Sequence, residues 1–162
     1  MEITARDATE ADLSDIERLY DGFADEQAAL RPLWHEAEGL TGPIDETLAK
    51  LVAAEAITVG TIDEVVVGFL VTGERTLVDG ENRVGVIRYI YTSPEARGVG
   101  VADEMFKHAI VKLRHDGLSA FDAVVSPGHR EAKNFYEAHG FSARSITMHS
   151  QDPVINEGNQ PR

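Results

Sequence analysis

The sequence contains no cysteine. Disulfides, thiolate metal sites and a cysteine acyl-enzyme are therefore excluded. Positive charge is scarce as well: 15 Lys and Arg stand against 28 Asp and Glu, a formal net charge of -13. Nucleic-acid binding needs a basic surface that displaces counterions from phosphate, so this balance argues against a nucleic-acid partner. Solubility accounts for the spread acids, and attraction of a cationic amine is the functional alternative. No apolar run approaches the length of a membrane span, and the opening M-E-I-T-A-R-D has neither a basic start nor an apolar signal core. A soluble cytoplasmic protein without a membrane partner is the expectation. Two phosphate signatures are missing too. No Gly-Lys-Ser/Thr triplet closes a P-loop, and the dinucleotide fingerprint that could start at Gly98 finds Asp103 where its third glycine belongs. The six histidines show no H-E-x-x-H or other compact ligand spacing, so no metal is predicted.

What is present reads as one domain over residues 1–149 of the 162, with a loose polar tail over 150–162. A short strand over residues 2–5 leads to Thr9 and Asp12, a variant capping box, and to a helix with Leu13, Ile16, Tyr20 and Phe23 at helical spacing. From Gln27 the pattern loosens through Pro32 to Gly42. A second helix begins near Pro43, with Ile44, Leu48, Leu51 and Val52 as its stripe. Strands over 57–62, 65–73 and 85–92 come next as an antiparallel meander, turning at Asp63-Glu64 and around Asp79, Gly80 and Asn82. A helix from Val101 to a Gly117 C-cap then crosses over to a strand at 120–125, placed beside the 85–92 strand. A last helix stops at Gly140, and residues 143–148 read as a final strand.

The organising stretch is strand, Gly-rich turn and helix over residues 88–109, with Gly98 and Gly100 where the chain changes direction. A glycine turn lets backbone N–H groups close on a ligand, and the helix start behind it adds its unpaired N–H groups and positive dipole end. That combination suits phosphate. Arg97, Gly100 and Ala102 give R-x-x-G-x-A, and N-F-Y-E-A-H-G-F comes later with Ala132, Phe135, Tyr136, Gly140 and Phe141. The two motifs, in this order and separated by one apolar strand, resemble those of the GNAT (Gcn5-related N-acetyltransferase) family, as does the order of elements over nearly the whole chain.

The resemblance implies an α/β fold of the α+β kind: a mixed, mostly antiparallel sheet whose central strands splay apart, flanked by helices. It implies acetyl-CoA as co-substrate, with its pantetheine arm in the splay against Ile90 and Thr92. The N–H groups of Arg97, Gly98, Val99, Gly100, Val101 and Ala102 would receive the diphosphate, and Ala132 would line the arm. An oxyanion donor is expected near Ile90 or Tyr91. Where the family often has an asparagine that contacts the arm, this chain has His129. A homodimer through sheet edges or terminal strands is suggested by resemblance alone.

Acetyl transfer to an amine needs the neutral nitrogen, and with a pKa near 10.4 roughly one alkylamine in a thousand is neutral at pH 7. Glu74, on a strand next to the cofactor strand, is a candidate base, as are Glu36 and Glu38; each is also readable as a solvated acid. By resemblance Tyr136 protonates the departing thiolate, its other reading being a packed helix aromatic. Trp34 with Glu36 and Glu38 reads as an acceptor wall, or Trp34 as core. Without cysteine, direct attack in a ternary complex is the expected route to a small-molecule or protein amine. The alternative is a non-catalytic acyl-CoA-binding domain on the same fold.

Overall fold

A computed structural model describes residues 1–156. The sheet has five strands in sequence order: β1 (Ile3–Asp7), β2 (Ile57–Ile62), β3 (Val65–Thr76), β4 (Arg83–Thr92) and β5 (Phe121–Ala123). β1 to β4 pair antiparallel, and β5 pairs parallel to β4. Five helices flank it: α1 (Leu13–Leu30), α2 (Trp34–Ala37), α3 (Ile44–Ala53), α4 (Val101–His115) and α5 (Arg130–Ala138). The parallel pair requires a crossover, and α4 supplies it.

The start of α1 is fixed locally. Asp12 Oδ2 accepts from the Thr9 N–H at 2.8 Å and from Arg6 at 2.7 Å, so one carboxylate caps the helix and ties it to β1. The Arg6 guanidinium holds the Asp12 carboxyl below the usual carboxylate range. The helix runs on to Leu30, past the expected loosening at Gln27, because Gln27 is itself buried at 3 % exposure and hydrogen-bonded. Arg31 then turns extended at φ -142°, as the residue before a proline should. Pro43 precedes α3 as its cap instead of opening the helix.

The two sheet faces carry separate cores. On the α1–α3 face Tyr20, Phe23, Trp34, Phe69, Tyr89 and Tyr91 interlock. On the other, α4 and α5 cover Leu70, Ile87, Val101, Met105, Phe106 and Tyr136. Here Gly60 and Gly68, partners across β2 and β3, let α4 sit directly on the backbone. A Cβ on Gly60 would meet Val101 Cγ1 at 2.5 Å, and one on Gly68 would meet Met105 Cε at 2.9 Å. These two positions set how far down the start of α4 can come.

Two expectations at the C-terminal end are corrected. β5 pairs only over Phe121–Ala123, and residues 143–148 form no strand. Arg144 meets β5 through its guanidinium on the Asp122 carboxylate at 2.5 Å, a side-chain tether in place of a backbone ladder, and Ile146 and Met148 remain exposed. Of the expected tail, residues 157–162 lie outside the described residues.

Candidate active site

The site begins where β4 and β5 part. Their ladder ends at Ile87 and Ala123, with the Val124 N–H on the Ile87 carbonyl at 3.1 Å, while β4 continues to Thr92. Opposite the Val71/Thr72 step of β3, the pairing of β4 jumps from Ile87 to Tyr89, leaving Arg88 as a bulge. A bulge re-aims the residues beyond it. Ile87 points its carbonyl toward β5, yet the Ser93 N–H bonds to Val67 of β3 at 2.8 Å, so by alternation Tyr91 and Tyr89 face β3. Ile90 and Thr92 are left to present their backbone groups to the open wedge. Tyr91, expected as a possible oxyanion donor, turns its amide toward β3, which leaves the Ile90 N–H facing the wedge.

Beyond Thr92 the chain makes a short turn and enters α4 at Gly100, which has φ +100° and gives no side-chain cap. The first helical bond runs from the Glu104 N–H to the Gly100 carbonyl at 3.1 Å. Of the N–H groups expected to be bare, that of Arg97 bonds to the Pro94 carbonyl at 3.4 Å, while among the described residues those of residues 98–103 find no acceptor. A helix start with bare N–H groups is an anion site in the making.

A cleft of ≈ 340 Å³ opens between this turn, β4 and α5, within the roughly 300–1,000 Å³ usual for small-molecule sites. Every residue expected to bind the cofactor lines it except Val99, whose side chain is exposed. Ile90, Val101, Ala132 and Phe135 make its wall largely apolar. Arg97 reaches back into it: Nε donates to the Thr92 carbonyl at 2.8 Å, Nη2 donates to Glu26 at 2.8 Å, and the guanidinium lies 5.3 Å from the Tyr91 ring centre. Its side chain therefore shapes the wall, and the backbone N–H groups of the turn are the donors left bare. Thr92 Oγ1 is the one buried side-chain polar atom without a partner among the described residues. Bare N–H groups, an orphaned hydroxyl, an unpaired strand edge and an apolar wall together fit an acylated pantetheine carrier.

Tyr136 lies beneath this wall at 4 % exposure, packed against Phe135 and Phe141. It is not itself part of the cleft lining. Burial alone pushes its phenol well above the ordinary tyrosine range, so it stays a hydrogen-bond donor.

Other expected residues fall elsewhere. Glu74 pairs with Gly85 in register and with Arg83 through an ion pair at 2.6 Å. That is roughly 15 Å along the sheet from Ile90, so the expected base does not join the cleft. Trp34 is core, 5 % exposed with its ring edge-on to Phe23, and is no acceptor wall. Glu36 and Glu38 are exposed across the sheet, where the Tyr89 hydroxyl donates to the Glu38 carbonyl. Burial pushes that Tyr89 phenol up to about 12, which keeps the donor in place. Sequence reasoning missed Glu26, Gln27 and Glu131. Gln27, four residues after Phe23, falls on the buried stripe of α1, and a polar residue there was the available signal.

A family model described as the acetyltransferase (GNAT) family matches residues 15–141. The chain belongs to the GNAT acetyltransferase family. Solved structures agree in fold. AAC(6')-Iy in complex with a CoA-S-monomethyl-acetylneamine bisubstrate analogue is 18% identical with a TM-score of 0.67, over 95% of this chain and 100% of that one. A ribosomal-protein-alanine N-acetyltransferase from Brucella melitensis biovar Abortus 2308 is 16% identical with a TM-score of 0.68, over 94% and 100%. A predicted acetyltransferase with acetyl-CoA from Clostridium acetobutylicum is 15% identical with a TM-score of 0.68, over 93% and 96%. At these identities the likeness speaks to fold. No curated protein matches the sequence significantly. Among the described residues no helix is long and apolar enough to cross a membrane, and no group of three His, Asp or Glu side chains is placed to hold a metal ion.

Proposed function

We propose that this GNAT protein transfers the acetyl group of acetyl-CoA to a primary amine, by direct attack in a ternary complex. The observation that carries the reading is the wedge between β4 and β5 ending on the uncapped start of α4. When bound, acetyl-CoA supplies an activated acetyl thioester. The bare N–H groups of residues 98–103 hold the diphosphate, the Ile90 and Thr92 edges take the amides of the arm as an added strand would, and Ala132 and Phe135 exclude water along it. Arg97 must release the Thr92 carbonyl for that edge to be used in full. The Ile90 N–H stabilises charge developing on the thioester oxygen.

Tyr136, packed under Phe135 at the cleft wall, turns its O–H toward the departing sulfur as the arm is seated. A thiol of this kind has a pKa of about 8.5, below that of the buried phenol, so the tyrosine stabilises the thiolate chiefly by donating a hydrogen bond. Glu36 and Glu38 stand across the sheet from the cleft, so the attacking amine gives its proton to water that enters beside it. The solved relatives named with an acetylneamine bisubstrate analogue and as a ribosomal-protein-alanine N-acetyltransferase support an amine acceptor.

The test is release of free CoA from acetyl-CoA across a panel of small and peptide amines, with Tyr136→Phe alongside. The expected result is turnover with at least one amine, lowered about 10- to 100-fold in kcat by Tyr136→Phe with KM for acetyl-CoA little changed. A protein that binds acetyl-CoA and acetylates nothing in the panel is a binding module instead.

A further inference from the structure

A turn after β5 brings together three side chains that the acetyl-transfer reading leaves unused or half used. Residues Ser126, Pro127, Gly128 and His129 close a turn in which the His129 N–H donates to the Ser126 carbonyl at 3.1 Å and Gly128 has φ +88°. Proline second and a positive-φ glycine third are what a type II turn demands. The turn presents both of its ends to Gln27 on α1. Ser126 Oγ donates to Gln27 Oε1 at 2.5 Å, and Gln27 Nε2 lies 3.3 Å from His129 Nδ1.

The order of these bonds decides where the histidine keeps its proton. A carboxamide nitrogen only donates, so in the orientation seen here, with Oε1 on Ser126 and Nε2 on the ring, the ring nitrogen accepts; the turned carboxamide would ask the reverse of both partners. In the neutral ring the proton is then on Nε2. His129 also lines the cleft, as do Ala132 and Ile90. Of the carboxylates that share the cleft, Glu26 and Glu131 lie 2.8 and 3.8 Å from Arg97, and Asp103 lies 3.0 Å from His139 Nε2, so each already has a partner. Gln27 is 3 % exposed, at a helix position where leucine would pack as well without needing two partners.

We propose that Gln27 and Ser126 are positioning residues that hold His129 as the Nε2–H tautomer, so that the ring donates a neutral hydrogen bond to an amide carbonyl of the acyl carrier's arm. This rests on the cofactor reading above. It assigns to α1 and the turn a direct hold on that arm's recognition, and it gives this chain's histidine the donor that a carboxamide would otherwise provide.

Two measurements test it. The first needs no cofactor: imidazole ¹⁵N spectra of the free protein near neutral pH should show His129 as the Nε2–H form. Gln27→Glu, equal in size but accepting where the amide donates, should move the proton to Nδ1. The second is CoA affinity by calorimetry. Gln27→Glu and Gln27→Leu should each weaken binding about 3- to 10-fold when residue 129 is His, and should have no further effect in a His129→Ala background. His129→Asn should bind nearly as wild type. A wild-type ring protonated on Nδ1, or a Gln27 effect of the same size in the His129→Ala background, overturns the proposal while leaving the cofactor reading intact. Absence of CoA binding by the wild type removes both.

Discussion

The two faces of the sheet solve different problems with the same strands. On the α1–α3 face the space is filled by rings: Phe23 lies 5.1 Å from Tyr89 and 5.5 Å from Trp34, and Tyr20 and Tyr89 spend their hydroxyls on the backbone of residues 38–40. On the α4 face the strands give up side chains at Gly60 and Gly68 so that a helix start can be lowered against the sheet. The first face is packed with rings; the second leaves an opening at the wedge, which Tyr91 and Glu26 of the first also border. Recognition chemistry collects where backbone groups are left unpaired, and the filled face is what lets the fold tolerate that.

The largest effect should come from emptying the filled face. Phe23→Ala removes the ring that joins Trp34, Phe69 and Tyr89 and should cost about 3–5 kcal/mol in denaturant unfolding, while CoA affinity of the folded protein stays within about threefold. A large loss of affinity would mean that the faces are not independent. Next, Gly60→Val drives a side chain into Val101 and should cost about 1–3 kcal/mol, but with CoA affinity falling more than its stability loss would suggest. Gly73→Ala is the control, since its Cβ would meet nothing nearer than Arg88 Cδ at 3.5 Å. The smallest effect is electrostatic. Asp12→Asn should cost about 1 kcal/mol near neutral pH through loss of the charged cap. Because the folded Asp12 carboxyl is depressed by Arg6, its contribution is full above the ordinary aspartate value and is lost as pH falls through the lower folded one. Urea titrations of both proteins should therefore converge below about pH 4; a gap that widens in acid would contradict the assignment.

Much of the filled face could be read in the chain. Ile16, Tyr20 and Phe23 at helical spacing, and the strands up to Thr92, come from periodicity that depends only on near neighbours. The glycine turn and α4 were legible for the same reason. The features that were not legible depended on distant partners or on parity. Gln27 looked like the end of a helix because Ser126 and His129, which bury it, are about a hundred residues away. Glu74 was placed on the right strand but at the wrong end, since adjacency of strands does not say which end splays. The bulge at Arg88 decides which alternate residues of β4 face the wedge, and one extra residue in a ladder leaves no mark in hydropathy. Residues 143–148 alternate as a strand does, but alternation cannot provide an edge to pair with.

The central claim is that backbone amides at the Gly100 turn grip the diphosphate of an acyl carrier. Amide spectra of ¹⁵N-labelled protein during a titration with CoA test it most directly. The amides of residues 98–103 should move most, together with Ile90 and Thr92, while signals from the α1–α3 core hold still. CoA that binds while those turn amides stay unshifted would contradict it.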